Sequence, residues 1–267
     1  MMAAQMESLN ALEQDKKNSF WRKWLGIDLP SADTMARGFS QVNLDSIHLS
    51  VHHVYTRLKK NKALKKTHGF HVLILDGHEH ISSYLRCCSS CLRRRVHTRA
   101  SDCIQYYHRD VVAMLSEENF PVLLDVEEQR RGESEVSCAL RLSRRILRHY
   151  PRAFSVVVVD GLYLEAPFFK LFLKHGKHTI AVLKDERRDL MEDARGLFPY
   201  EKSWIEIEGN TERQLWDIEG FTSWASLGQE VRVVRSLETR TVCRQQTGKE
   251  EKEDSEERKT LSFILPG

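Results

Sequence analysis

The chain has 267 residues, 41% of them hydrophobic and 30% charged. That balance suits a globular protein with a real core, either one large domain or a medium domain with an appendage. No apolar run approaches the roughly 20 residues of a membrane helix, and Met1 to Leu12 lacks the basic-then-apolar order of an export signal, so the expected setting is the cytoplasm, with no membrane partner. A net charge of +3 says little by itself. The clusters say more: Lys59-Lys60, Lys65-Lys66, Arg93-Arg94-Arg95 and Arg144-Arg145 favour a polyanion such as DNA, although each alone also reads as a solvated helix face. Six cysteines (Cys87, Cys88, Cys91, Cys103, Cys138 and Cys243) without an export signal read as free thiols or metal ligands rather than disulfides.

Residues 1–68 read as a helical segment. Pro30-Ser31 precedes a short helix, and Asn43 or Asp45 caps the next. In that helix Ile47, Val51, Val54, Tyr55 and Leu58 recur at helical spacing and predict one buried stripe. A catalytic core is expected over residues 69–200. Its first strand, Val72-Leu73-Ile74-Leu75, ends at Asp76-Gly77. A polar segment with three cysteines and three arginines follows. Val111 to Leu115 and Pro121 to Asp125, joined by a short polar link, predict an antiparallel hairpin. A helix is expected from Gly132 to Tyr150, with Arg141, Arg144, Arg145 and Arg148 mainly on its outer face. Val156-Val157-Val158-Val159 ends at Asp160-Gly161 as the fourth strand, and residues 179–184 form a fifth. A polar helix follows. Residues 201–267 change texture: alternating strands such as Trp204 to Glu208 and Val231 to Arg235, a charge-dense loop at 245–259, and an apolar strand at Leu261 to Leu265 read as an incomplete β-rich insertion.

Two apolar strands that each end in Asp-Gly are the central signal. A carboxylate there sits at the rim of a sheet, where α/β folds place their chemistry. Two such carboxylates suggest a pair of metal ligands; the simpler reading is two turns, since Asp-Gly is a turn dipeptide. The predicted order β-β-β-α-β-α-β-α is that of an α/β, RNase H-like mixed sheet, in which the first and fourth strands lie side by side. Other chemistries are unsupported. None of the 13 glycines opens a Gly-x4-Gly-Lys-Ser/Thr loop, and His78 stands where an aspartyl phosphatase would want a second acid.

Several stretches together resemble the DDE transposases of bacterial insertion sequences, in the insertion-sequence-four-like group. They are Leu75-Asp76-Gly77-His78-Glu79, Cys88-Ser89-Ser90-Cys91-Leu92-Arg93-Arg94, Tyr106-Tyr107-His108-Arg109, Gly132-Glu133-Ser134-Glu135, Asp160-Gly161-Leu162-Tyr163 and Val182-Leu183-Lys184-Asp185-Glu186. The resemblance covers roughly residues 20–240. It implies that Asp76 and Asp160 are the first two acids of the triad and hold Mg²⁺ (or Mn²⁺). The chemistry is cleavage of transposon ends and their joining to target DNA; two such ions about 4 Å apart serve the nucleophile and the leaving oxygen. It also implies DNA, a second copy or a full-length transposase as partners, in a bacterial cytoplasm.

The departure from the family pattern matters. The third acid lies on a late helix in the order Tyr, two residues, Arg, three residues, Glu, six residues, Lys, and none of the seven tyrosines starts it. Trp216-Asp217-Ile218-Glu219 is similar only in part, with Leu215 where Arg is required. The resemblance therefore implies little or no activity for this chain alone. The alternative is a non-catalytic fragment that binds DNA or inhibits a full-length transposase. Glu186, Asp189, Glu192 and Asp193 on the helix after the fifth strand are the other candidates for a third acid, against their reading as a solvated face.

Cys88-x2-Cys91 followed by Cys103 and His108 has zinc-ligand composition, with His97 as an alternative fourth donor; free surface thiols are the simpler reading. Lys184, Arg187 and Arg188 beyond the fifth strand, with Arg93, Arg94, Lys59 and Lys60, are the candidate DNA contacts.

Overall fold

The computed structural model describes residues 8–97, 101–183, 188–243, 250–255 and 260–264, with side chains described up to residue 239 except at 188. The chain divides into two compact units, Met1–Thr56 and Arg57–Gly267.

The first unit is helical. Helices α1 (Leu9–Gln14), α2 (Ser19–Leu25) and α3 (Ala32–Ser40) precede α4 (Leu44–Lys60), whose last residues belong to the second unit. Ser8, Asn18 and Ser31 cap α1, α2 and α3 by accepting from the backbone N–H groups of Ala11, Phe20 and Thr34. Glu13 of α1 accepts from the Ala32 N–H at 3.1 Å and ties α1 to the start of α3. The predicted stripe on α4 is corrected in part. Tyr55 is buried, but Ile47 and Val54 are about half exposed.

The second unit is built on one mixed sheet. Strand β1 (Val72–Ser83), β2 (Leu92–His97), β3 (Asp102–Ser116) and β4 (Pro121–Glu128) come first. Helix α5 (Glu135–His149) leads to β5 (Val156–Val159), α6 (Ala166–Leu173) to β6 (His178–Val182), and α7 (Arg188–Leu197) follows. Strands β7 (Trp204–Glu208), β8 (Thr211–Phe221), β9 (Val231–Cys243), β10 (Glu250–Ser255) and β11 (Thr260–Ile264) complete it. The order across the sheet is β2-β3-β1-β5-β6-β11-β9-β8-β7, with β4 also paired to β3 and β10 to β9. The expected β3–β4 hairpin forms, with Ser116 opposite Pro121. The β1–β5 and β5–β6 pairs are parallel, as helical crossovers require.

Three expectations change. Strand β1 does not end at Asp76 but runs on to Ser83, pairing with β3 as far as Tyr106. The polar segment after it contains β2, an edge strand paired with β3. Part of the charged loop at 245–259, Glu250–Ser255, pairs with β9 as β10. β11 lies between β6 and β9, antiparallel to both, so the last strands continue the same sheet.

Helix α5 is amphipathic, as its spacing predicts. Val136, Ala139, Leu142, Ile146 and Leu147 are buried. Its arginines are not all solvated, however. Arg145 forks onto Asp125 (2.6 and 2.9 Å) and pairs with Glu127, while Arg141 bonds Glu127 at 2.8 Å and also pairs with Glu133. Two of the four expected surface arginines therefore bolt α5 to β4. A second apolar layer comes from α6, where Phe168, Phe169 and Phe172 are wholly buried and Phe169 meets Trp224 edge to face.

Candidate active site

Asp76 and Asp160 reach the same edge of the sheet because of strand register. β1 and β5 pair in parallel, Val72 with Val156, Leu73 with Val157 and Ile74 with Val158. Carried two residues past the last of these pairs, the same register leads to Asp76 on β1 and to Asp160, the first residue after β5. Both residues are exposed, whereas Leu73, Leu75, Val157 and Val159 on the alternate face are buried.

The two Asp-Gly steps differ. Asp160 does begin a turn: its carboxylate accepts from the Leu162 N–H at 2.8 Å and caps a 3-10 turn, Gly161–Tyr163. Asp76-Gly77 makes none, because both residues stay in β1 opposite Val112 and Val111. Gly77 is small for a different reason. A Cβ built on it would lie 2.3 Å from Glu135 Oε1 and 2.4 Å from Cδ. The carboxylate of Glu135, the first residue of α5, therefore presses against the backbone next to Asp76.

Glu135 is held there by two donors. The Tyr163 hydroxyl donates to Oε1 at 2.7 Å and Arg109 Nη1 to Oε2 at 2.8 Å. Tyr163 is fully buried. Burial, its bond to Glu135, and the negative charge of Glu135, Asp76 and Asp160 all hold its hydroxyl well above the usual tyrosine range. One buried phenol thus senses three carboxylates. In the sequence Tyr163 reads only as packing against the next helix, as its ring does against Phe168, and Glu135 and Arg109 carry no signal of their own, although all three fall in the stretches that carry the resemblance.

No protein-family model and no curated relative match the chain. Among solved structures it is similar to a piggyBac transposase in a cryo-electron-microscopy synaptic complex with hairpin DNA, at 10% identity and a TM-score of 0.34. The similarity covers 54% of this chain and 30% of that one. It assigns no family.

On the face of the sheet that carries Asp76, alternation along β1 and the pairing of His78 with Asp110 and Asp110 with Glu128 set out a row of titratable groups. Burial raises the Asp110 carboxyl above its ordinary range, with His80, Glu128, His108 and His78 close by. At the far end of the row Cys88, Cys91 and His108 converge, their ligand atoms all within 4.8 Å of one another. His108 Nδ1 faces Glu128 at 3.0 Å, a bond that raises the imidazole pKa against the opposing effect of burial.

Cys103 does not join them. It sits opposite Val96, and its thiol faces Ser101. His97 is also apart, pairing with Asp102 at 2.7 Å. The four-ligand set expected from sequence is therefore corrected to three, because Cys103 is five residues from His108 along the extended β3.

Among the expected DNA contacts, Lys184 and Arg187 lie outside the described residues, and only the backbone of Arg188, at the start of α7, is described. Arg93 is exposed on β2. Arg94 is engaged internally: it forks onto Glu79 (2.9 and 2.9 Å), donates to Gln105 at 2.7 Å and lies over the Tyr107 ring. Lys59 and Lys60 end α4. Of the other candidates for a third acid, Glu186 is outside the described residues, and Asp189 is exposed. Glu192 and Asp193 line a cavity of about 420 Å³ with Gly196, Leu197, Gly220 and Phe221. Trp216-Asp217-Ile218-Glu219 lies in β8, not on a helix, and Asp217 and Glu219 both pair with Arg232. No helix among the described residues is long and apolar enough to cross a membrane.

Proposed function

We propose that the chain carries a DNA transposase-type catalytic site, for metal-dependent phosphodiester cleavage and strand transfer, with Asp76 and Asp160 as the ligands of a divalent cation. The observation that carries this reading is the parallel pairing of β1 with β5, in register up to Ile74 and Val158, two residues before each aspartate. The sheet order supports it. β4-β3-β1-β5-β6, three antiparallel strands and then two reached by helices, is the order expected of an RNase H-like core.

The donor set fits Mg²⁺ or Mn²⁺, which take oxygen ligands and keep positions open for water and phosphate. Such an ion, when bound, supplies an activated water or 3′-hydroxyl and stabilises the leaving oxygen. The chain's own groups do the rest. Asp76 and Asp160 offer exposed carboxylates at one edge. Asp160 is oriented by its bond to the Leu162 N–H. Glu135, braced by Tyr163 and Arg109, packs against the backbone of Gly77 and fixes the strand that bears Asp76. Both Glu135 oxygens already have donors, so we assign it a positioning role. No residue is assigned as a third acid in this reading, and the activity of this chain alone is expected to be low.

Mn²⁺ titration by calorimetry, paired with nicking of supercoiled plasmid, tests the reading. Asp76→Asn and Asp160→Asn should each weaken Mn²⁺ binding at least tenfold and remove any nicking. Unchanged Mn²⁺ affinity in both variants would refute it. Salt-sensitive DNA binding that survives both changes, without any cation binding, would instead favour a non-catalytic DNA-binding fragment.

A further inference from the structure

We propose that Cys88, Cys91 and His108 bind a zinc ion that clamps the connection between β1 and β2 onto β3. This site stands apart from the Asp76–Asp160 edge and does not depend on the reading of that edge.

The geometry is close to that of a metal site. Cys88 Sγ and Cys91 Sγ each lie 3.3 Å from His108 Nε2, and 3.5 Å from one another. In a tetrahedron with Zn–S near 2.3 Å and Zn–N near 2.0–2.1 Å, the corresponding edges are roughly 3.5–3.8 Å. The three donors thus already outline one face of it, needing outward shifts of only a few tenths of an ångström. Two thiols and an imidazole suit zinc rather than a hard cation.

The surroundings also fit. Glu128 bonds the other ring nitrogen of His108 at 3.0 Å, so the nitrogen facing the sulfurs is the one left to coordinate. A carboxylate behind a ligating histidine fixes its tautomer and orientation. The Cys88 N–H donates to Cys91 Sγ at 3.1 Å, and the Cys91 N–H donates back to the Cys88 carbonyl, which closes a tight turn around the pair. A disulfide is the competing use of two such thiols, but it needs the sulfurs at about 2.05 Å, and here each faces the imidazole instead. The fourth position falls to water or to Cys87, the residue just before Cys88.

The clamp has a clear mechanical role. Residues 84–91 leave β1 and return as β2, an edge strand whose inward apolar side chains are few. Fixing Cys88 and Cys91 to His108 seats β2 beside β3 just where Leu92 pairs with Tyr107.

The test is zinc content in the full chain purified under reducing conditions without added metal, then again after zinc is supplied and excess removed. About one zinc per chain is expected, falling below a tenth in Cys88→Ser and His108→Ala and unchanged in Cys103→Ser. X-ray absorption should show two or three sulfur neighbours and one imidazole. If the variants do not fold, wild-type protein stripped with a chelator serves. Its β2 amides should exchange at least tenfold faster than in the zinc-loaded form. Zinc near zero after reconstitution, a Cys88–Cys91 disulfide under reducing conditions, or loss of zinc in Cys103→Ser would overturn the proposal.

Discussion

Gly77→Ala should destabilise the protein through one side chain, Glu135. The added Cβ would sit 2.3 Å from Oε1, where ordinary contact begins near 3.4 Å. The carboxylate must withdraw by about 1 Å, and its bonds to Tyr163 (2.7 Å) and Arg109 (2.8 Å) cannot both survive. Tyr163 is wholly buried, so an orphaned hydroxyl costs about 1–3 kcal/mol. Arg109 is 28% exposed and retains Glu79 at 3.5 Å, so its loss adds only about 1 kcal/mol. The expected total is about 2–4 kcal/mol. Chemical denaturation of Gly77→Ala, Glu135→Ala and the double variant isolates the cause. With Glu135 truncated, the alanine at 77 should cost less than about 0.5 kcal/mol, because its obstacle is gone. Equal costs of Gly77→Ala in both backgrounds would refute the argument.

Arg145→Ala should cost about 3 kcal/mol in the same assay, since it leaves the buried Asp125 without its forked partner; a cost under about 1 kcal/mol would mean water replaces the guanidinium. Acid stability should report Glu127. Burial raises its carboxyl, but bonds from Arg141 and Arg145 outweigh this and hold it below the usual range. Its contribution is therefore complete above the ordinary glutamate pKa and lost as pH falls through the lowered value. Melting temperatures from pH 6 to 3 should fall less steeply in Glu127→Gln than in wild type. Burial pushes the Cys138 thiol up to about 11. At pH 8, mass spectrometry after alkylation should find Cys138 unmodified in folded protein while the exposed Cys87 reacts; equal labelling would contradict the packing of α5.

The apolar strand segments that lead up to Asp76 and Asp160 were legible because runs of branched apolar residues cannot satisfy their burial except within a covered sheet. The extension of β1 through His78, His80 and Ser83 was not, since its exposed polar residues give no alternating pattern. β2 was hidden for the same reason: Leu92-Arg93-Arg94-Arg95-Val96-His97 reads as a charged loop, and only pairing with β3 makes it a strand. Glu135 could not be singled out from its own helix. Its role arises from contact with a glycine 58 positions earlier, seen only in three dimensions. Conversely, Cys88, Cys91 and His108 were visible by composition, but sequence could not tell Cys103 from the others, because only strand direction separates them.

The long antiparallel pairing of β1 with β3 acts as a ruler. Asp76 faces Val112, a bulge interrupts the count near His80, and His108 meets Ile81. A slip of one position would rotate Asp76 to the α5 side and carry Gly77 away from Glu135, while pulling His108 off the cysteine turn. The irregularity and the thiol–imidazole contact lie side by side near Ile81 and together forbid that slip, so alignment at the acidic rim is indexed from further along the same ladder.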